Sequence, residues 1–182
     1  MVQAVLGELA SATGDFHSQR PEIGLLDQSG NVVKTVRSDV PDLILVQGKW
    51  DESSIAQKNA SLHYRLRQGQ PFPGEPALEW TINGEKGEIR VLAQQTTFIA
   101  VGDAVTPQFF EIHDFETDKV DKVEWNWANW QEELPIPARN IGALYEEFAE
   151  TKKTGAKTSY RTFDDAVTRH VQLEGLLGNW QA

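Results

Sequence analysis

An α+β fold, in which an open and mostly antiparallel β-sheet carries two C-terminal helices on one face, is predicted by three observations in this sequence. Alternation of period two dominates the first two-thirds, Gly, Pro and Asn-Gly punctuation separates the alternating runs, and the last third switches to a helical period. At 182 residues the chain is expected to form a single domain over 1–182, long enough to bury a core without staples.

The first strand is expected from Glu8 to Phe16, followed by a corner in which Pro21 restricts Arg20 to extended geometry. Turn chemistry at Asp27 to Gly30 precedes a run from Val32 to Val36, and this excursion closes at Val40 to Asp42. A strand follows from Asp42 to Trp50, then a polar loop over 51–59. Ala60 to Arg67 alternates best: Leu62, Tyr64 and Leu66 share one face, and Ser61, His63, Arg65 and Arg67 the other. After Pro71 to Gly74, a strand from Ala77 to Asn83 places Leu78, Trp80 and Ile82 opposite Glu79 and Thr81, and Asn83 to Gly87 turns the chain into Glu88 to Leu92. Further strands are expected at Thr97 to Val101, Phe109 to His113 and Lys122 to Trp127. A first helix starts around Pro137, carries Ile141, Leu144, Tyr145 and Phe148 on one stripe and ends near Gly155. A second begins at a capping-box pattern, Thr162 to Asp165, and is expected to bury Phe163, Ala166, Val167, Leu173 and Leu177 on the sheet.

Composition narrows the function classes. With 27 acidic against 17 basic residues the formal net charge is −10, which offers nothing to nucleic acid or to an anionic membrane surface. No cysteine is present, so disulfides, thiolate nucleophiles, iron–sulfur clusters and Cys-type zinc sites are all excluded. The N-terminal stretch lacks a basic region and an apolar run long enough for a signal or a span, and the protein is expected to be soluble and cytoplasmic. The four histidines, His17, His63, His113 and His170, show no metal-ligand spacing, and no metal is expected. His170 falls on the apolar stripe of the second helix and reads as a packed core residue, while His113 and Asp114, adjacent on a strand, point to opposite faces.

Two constellations remain. His63, Arg65 and Arg67, with Glu79 and Thr81 expected on the neighbouring strand, form a polar face that reads either as a solvated or dimer-forming surface or as a ligand platform. Trp125 and Trp127, with Trp130 nearby, read either as a seam between sheet and helices or as the aromatic wall of an apolar site. His17 and Arg20, in the loop after the first strand, are further ligand-binding candidates.

The segments Val2 to Ser11, Gln19 to Pro21, Ala60 to Arg65, Leu78 to Trp80, Asn83 to Val91, Leu134 to Asn140 and Phe163 to His170 succeed one another in an order and spacing that mean something together. In them the chain resembles the C-terminal domain of the Gfo/Idh/MocA oxidoreductase family, in the fungal branch that includes the galactose-regulon repressor. The resemblance implies an N-terminal Rossmann domain with a G-x-G-x-x-G turn, a Glu-Lys-Pro signature and an Asp-x-x-x-His helix. None of the three is found in this sequence, which leaves hydride transfer without a phosphate cradle or a proton-transfer pair. The chain on its own is therefore not expected to act as an NAD(P)-dependent dehydrogenase, and no cofactor is expected.

Three functions are open on this reading. The preferred one is a cofactor-independent cyclase or isomerase of the pericyclase type, acting on a small and largely apolar metabolite of secondary metabolism. His63 and Arg65 would be catalytic there, and Trp125, Trp127, Glu79, Thr81, His17 and Arg20 would bind the ligand. The alternatives are a non-catalytic dimerisation or regulatory module using the sheet face as a homodimer interface, and a fragment of an oxidoreductase.

Overall fold

The computed structural model describes residues 2–94, 108–124, 126–156, 160–178 and 180. Antiparallel ladders and two long C-terminal helices make up an α+β fold, divided between two compact units, residues 1–69 with 162–182 and residues 70–161.

The first unit opens with a short helix, α1 (Val2–Leu6), and is built on a three-stranded sheet. Its strands β1 (Leu9–His17), β4 (Leu43–Trp50) and β5 (Ser61–Arg67) run antiparallel in the order β1-β4-β5. Between β1 and β4 the chain makes the hairpin β2 (Glu22–Leu26) and β3 (Val32–Arg37), whose turn is tied by the Asp27 carboxylate accepting the backbone N–H groups of Ser29 and Asn31, each at 2.9 Å. Alternation decides which face is covered: Ala12, Gly14 and Phe16 of β1 are half-buried while Thr13, Asp15 and His17 between them are exposed. Val46 and Trp50 continue the covered face on β4 and, with Ala56 in the following loop, are the buried apolar residues described in this unit. The Ser53 hydroxyl organises that loop by accepting the N–H groups of Ile55 and Ala56 and donating to the Leu6 carbonyl.

Helix α4 (Phe163–Leu177) starts at the expected cap, where Thr162 and Asp165 bond reciprocally, and lies against β1. Its orientation differs from the expected one. Phe163 is 91% exposed, Ala166, Val167, Leu173 and Leu177 are exposed as well, and so is His170, which is therefore not a core histidine. The stripe that faces inward is Asp165, Arg169, Gln172 and Leu176. Its polar members have partners that justify the choice: Arg169 bonds Gln172 and Glu8, and Gln3 donates to Gln172 at 2.8 Å. A periodicity argument ranks faces by hydropathy alone, whereas a set of mutually satisfied polar groups can be buried at little cost. At the end of the chain Trp180 meets Phe16 edge-on and donates its indole N–H to the Asp39 carbonyl.

The second unit is a four-stranded meander, β6 (Leu78–Asn83), β7 (Gly87–Ala93), β8 (Gln108–Asp114) and β9 (Lys119–Lys122), in sequence order. Val91 and Ala93 of β7 are its buried apolar residues among those described. Gly87 is required by sterics, because a Cβ there would collide with the His113 carbonyl oxygen on β8. The strand expected at Lys122 to Trp127 is replaced by β9, which shares only Lys122 with it. The cause is the preceding turn, where Asp114 accepts both the N–H and the hydroxyl of Thr117 and Asp118 takes a positive φ of 52°, fixing where the return strand begins. The strand expected at Thr97 to Val101 lies outside the described residues. A short α2 (Asn129–Glu132) leads to α3 (Ile136–Thr154), which ends at Gly155 with φ +68°. Trp130 and Leu134 pack onto α3 at Gly142, where a Cβ would meet both. On the expected apolar stripe of α3, Ile141, Leu144, Tyr145 and Phe148 all remain substantially exposed, although Phe148 meets Tyr160 edge-on at 5.5 Å.

Candidate functional site

Register brings the polar residues of the first sheet into rows. Thr13 lies opposite Gln47 and Gln47 opposite His63; Asp15, Leu45 and Arg65 form the next row; His17, Leu43 and Arg67 the one after. Directly opposed residues point to the same face, so His63 and Arg65 share an exposed surface with Thr13, Asp15 and His17. Along the centre of this surface β4 places Leu43 and Leu45, both half-buried, while the charged groups occupy the two outer strands. His17 leans back on its own strand, its Nε2 3.2 Å from the Asp15 carboxylate.

Arg20 is anchored through both its backbone and its side chain. It belongs to a corner centred on Asp42, a carboxylate only 8% exposed. Asp42 accepts the backbone N–H groups of Gln19 at 2.7 Å and Arg20 at 2.9 Å, and the Arg20 guanidinium Nε at 3.3 Å. These bonds, led by the Gln19 N–H, hold its carboxyl below the usual carboxylate range. The Asp42 backbone joins the same corner to both neighbouring strands, donating to the His17 carbonyl and accepting from Gln68. Arg20 also lies across Gly69, whose φ of +118° and lack of a side chain make room for the guanidinium. Asp42 was not marked by periodicity. Its position just after Val40 and Pro41, at the mouth of a strand, was the available signal.

Glu79 and Thr81 lie on one face of β6, as their alternation required, but β6 pairs with β7 and β5 with β4. The ladder neighbours of His63 and Arg65 are therefore Gln47 and Leu45, and the cation opposite Thr81 is Arg90. Arg90 reaches across to Glu111 on β8 at 2.7 Å, and this partner raises the guanidinium above its ordinary value. On the next strand Lys122 sits 4.8 Å over the Phe109 ring. The sequence reading missed Arg90 and Glu111, although the Asn83 to Gly87 turn fixes the register that pairs Arg90 with Thr81. Trp127 is half-buried beneath the Arg139 guanidinium at 5.4 Å, and Trp125 lies outside the described residues. His113 bonds Asp118 at 2.8 Å, while the neighbouring Asp114 bonds Thr117, whose N–H holds its carboxyl below the usual carboxylate range. Among the described residues no group of three or more His, Asp or Glu side chains is arranged to hold a metal ion, and no helix is long and apolar enough to cross a membrane.

Comparison with known proteins locates this arrangement. Residues 1–93 match the family model described as the Gal80p C-terminal domain. No curated protein matches the chain. Among solved structures, the super-repressor mutant of Gal80p from Saccharomyces cerevisiae is similar with a TM-score of 0.70 and 18% sequence identity, over 97% of this chain and 44% of that one. At that identity the likeness is one of fold, and this chain spans less than half the length of the protein it resembles.

Proposed function

Since the chain belongs to the Gal80p C-terminal domain family, we propose that it works as a non-catalytic regulatory module, residues 1–182 acting as one domain in the cytoplasm, and pairs with a second copy through the open face of the β1-β4-β5 sheet. The observation that carries this reading is the row Asp15, Leu45 and Arg65. When two copies of a three-stranded sheet face each other about a two-fold axis along the central strand, β1 of one lies over β5 of the other. Asp15 then stands over Arg65 of the second copy, and the reverse contact follows by symmetry. Leu45 meets Leu45 at the centre, which produces an apolar core with a charged rim, the usual anatomy of such a patch.

A charge-swap experiment tests this. Arg65→Glu alone, or Asp15→Arg alone, sets like charges against each other twice in the dimer and is expected to weaken self-association by about tenfold or more in sedimentation or light scattering. Combining the two exchanges restores opposite signs and should restore the dimer. A wild-type chain that stays monomeric at high concentration, or a double variant no better than the singles, rejects the interface.

The second reading is a cofactor-independent cyclase or isomerase acting on a small, largely apolar metabolite. It is favoured by His63 and Arg65 standing two residues apart on one exposed strand face, a spacing of about 7 Å that lets both reach one polarised carbonyl. His17 and Arg20, in the same unit, are its proposed ligand-binding groups. His63→Ala separates the two readings, since it leaves the Asp15 and Arg65 contacts in place. Slowed turnover of a metabolite with the oligomeric state unchanged supports the enzyme; equal turnover in wild type, His63→Ala and Arg65→Ala removes it.

A further inference from the structure

We infer that the cleft between α4 and β1 is a binding site for a small monocarboxylate with an apolar body, distinct from the open sheet face. A helix resting on a sheet needs large side chains to fill the space between them, and between Leu9 and Phe16 the covered face of β1 offers only small ones. Ala10 and Ala12 form the floor, and β1 carries a bulge there, its pairing with β4 shifting between Leu9 and Ser11. α4 comes close at Gly14, where a Cβ would stand 3.6 Å from the Leu176 carbonyl, and further along the strand a cleft of about 500 Å³ stays open. That volume is in the range of small-molecule sites.

The polar end of the cleft determines the ligand's chemistry. Arg169, Gln172 and Gln3 line it: Gln3 and Arg169 donate to the Gln172 side-chain oxygen, and Arg169 also reaches a carboxylate, that of Glu8. Arg169 donates to one Glu8 oxygen, and Gln172 approaches the other at 3.5 Å. The Glu8 side chain is 48% exposed and sits just before β1, so it can leave toward water while another carboxylate takes its place on the guanidinium. The inward stripe of α4 supports the same assignment. This helix directs Arg169 and Gln172 into the cleft and leaves Phe163, Val167 and Val171 outside, the reverse of what burial alone favours, and such local inversions mark sites where polar chemistry is needed.

The test uses 4-phenylbutyrate and octanoate as probes and 4-phenylbutanol as the control without a carboxylate, with calorimetry on the full chain. Wild type should bind both acids saturably and the alcohol at least about tenfold more weakly. Removing the resident competitor with Glu8→Gln should tighten acid binding by about tenfold, while Arg169→Gln should weaken it by a similar factor. Opposite signs for two partners of one ion pair are not expected from a merely structural role, which would move both the same way. Ala12→Leu should fill the floor and abolish binding, with circular dichroism confirming the fold; should that variant not fold, the opposed pair decides alone. The site is rejected if neither acid saturates the Glu8→Gln protein below about 10 mM, if the alcohol binds as well as the acids, or if the two exchanges shift affinity in the same direction.

Discussion

Trp50→Ala is expected to be the most destabilising single substitution among the described residues, at about 3–5 kcal/mol. Trp50 is 3% exposed at the end of β4, on the covered face it shares with Val46, and Ala56 is the remaining buried apolar residue described in its unit. Few other side chains there are removed from water, so little is available to collapse into the space an indole leaves. Its backbone also closes the loop between β4 and β5: the Trp50 N–H donates to the Ala60 carbonyl, and Asn59, at a positive φ of 64°, donates back to the Trp50 carbonyl. Substituting the side chain keeps those backbone bonds and removes the packing that anchors the strand end from which they are made. Urea unfolding followed by far-ultraviolet circular dichroism measures the loss independently of the other five tryptophans. A change below about 1 kcal/mol would mean that the core of this unit lies elsewhere.

Asp42→Asn is the second substitution with a large expected effect, and its dependence on pH identifies the cause. Asparagine keeps the shape but offers one carbonyl oxygen and a donating amide where two carboxylate oxygens now receive the N–H groups of Gln19 and Arg20. One backbone donor is left facing another donor in a largely buried corner, and at neutral pH Tm should fall by roughly 5 °C or more. The Asp42 carboxyl is held below its ordinary value of 3.8 by these bonds, so the folded state favours the ionised form more than the unfolded chain does. Its contribution is therefore complete above that value and is lost as pH falls through the lower folded one. The gap in Tm between wild type and Asp42→Asn should be constant near neutrality and narrow in acid below about pH 4. A gap that persists unchanged to about pH 3 would trace the effect to shape rather than charge.

Both substitutions lie in segments that sequence reading located well. The strand ending at Trp50 and the strand carrying His63 and Arg65 were legible because each alternates and each is bounded by polar turns. The Asn83 to Gly87 hairpin was equally legible, as were the Thr162 cap and the Gly155 stop, because each depends on residues within a few positions of one another. What was not legible is which strands pair across long intervals. The excursion over β2 and β3 separates β1 from β4 in sequence, and nothing local announces that Glu79 and Thr81 belong to a different ladder from His63.

The helices show the same division. Periodicity placed Phe163 and Val167 on the packed stripe of α4, but both face outward. The spacing of apolar residues states which side of the helix they share; it carries no information on whether Arg169 and Gln172 will find Glu8 and Gln3 waiting across the interface. Asp42 makes the point for charge, since its importance comes from two N–H groups that lie more than twenty residues away in sequence.

By itself, then, the sequence determined the fold class, most element boundaries, the absence of thiol chemistry and the strongly acidic surface, because each of these depends on composition or on residues a few positions apart. Only the tertiary structure decided strand partnership, the face that α4 presents to β1, the burial of Asp42 and the rows that set Asp15 beside Leu45 and Arg65. Those are outcomes of long-range pairing, in which the hydrogen bonds of distant groups outweigh local preference.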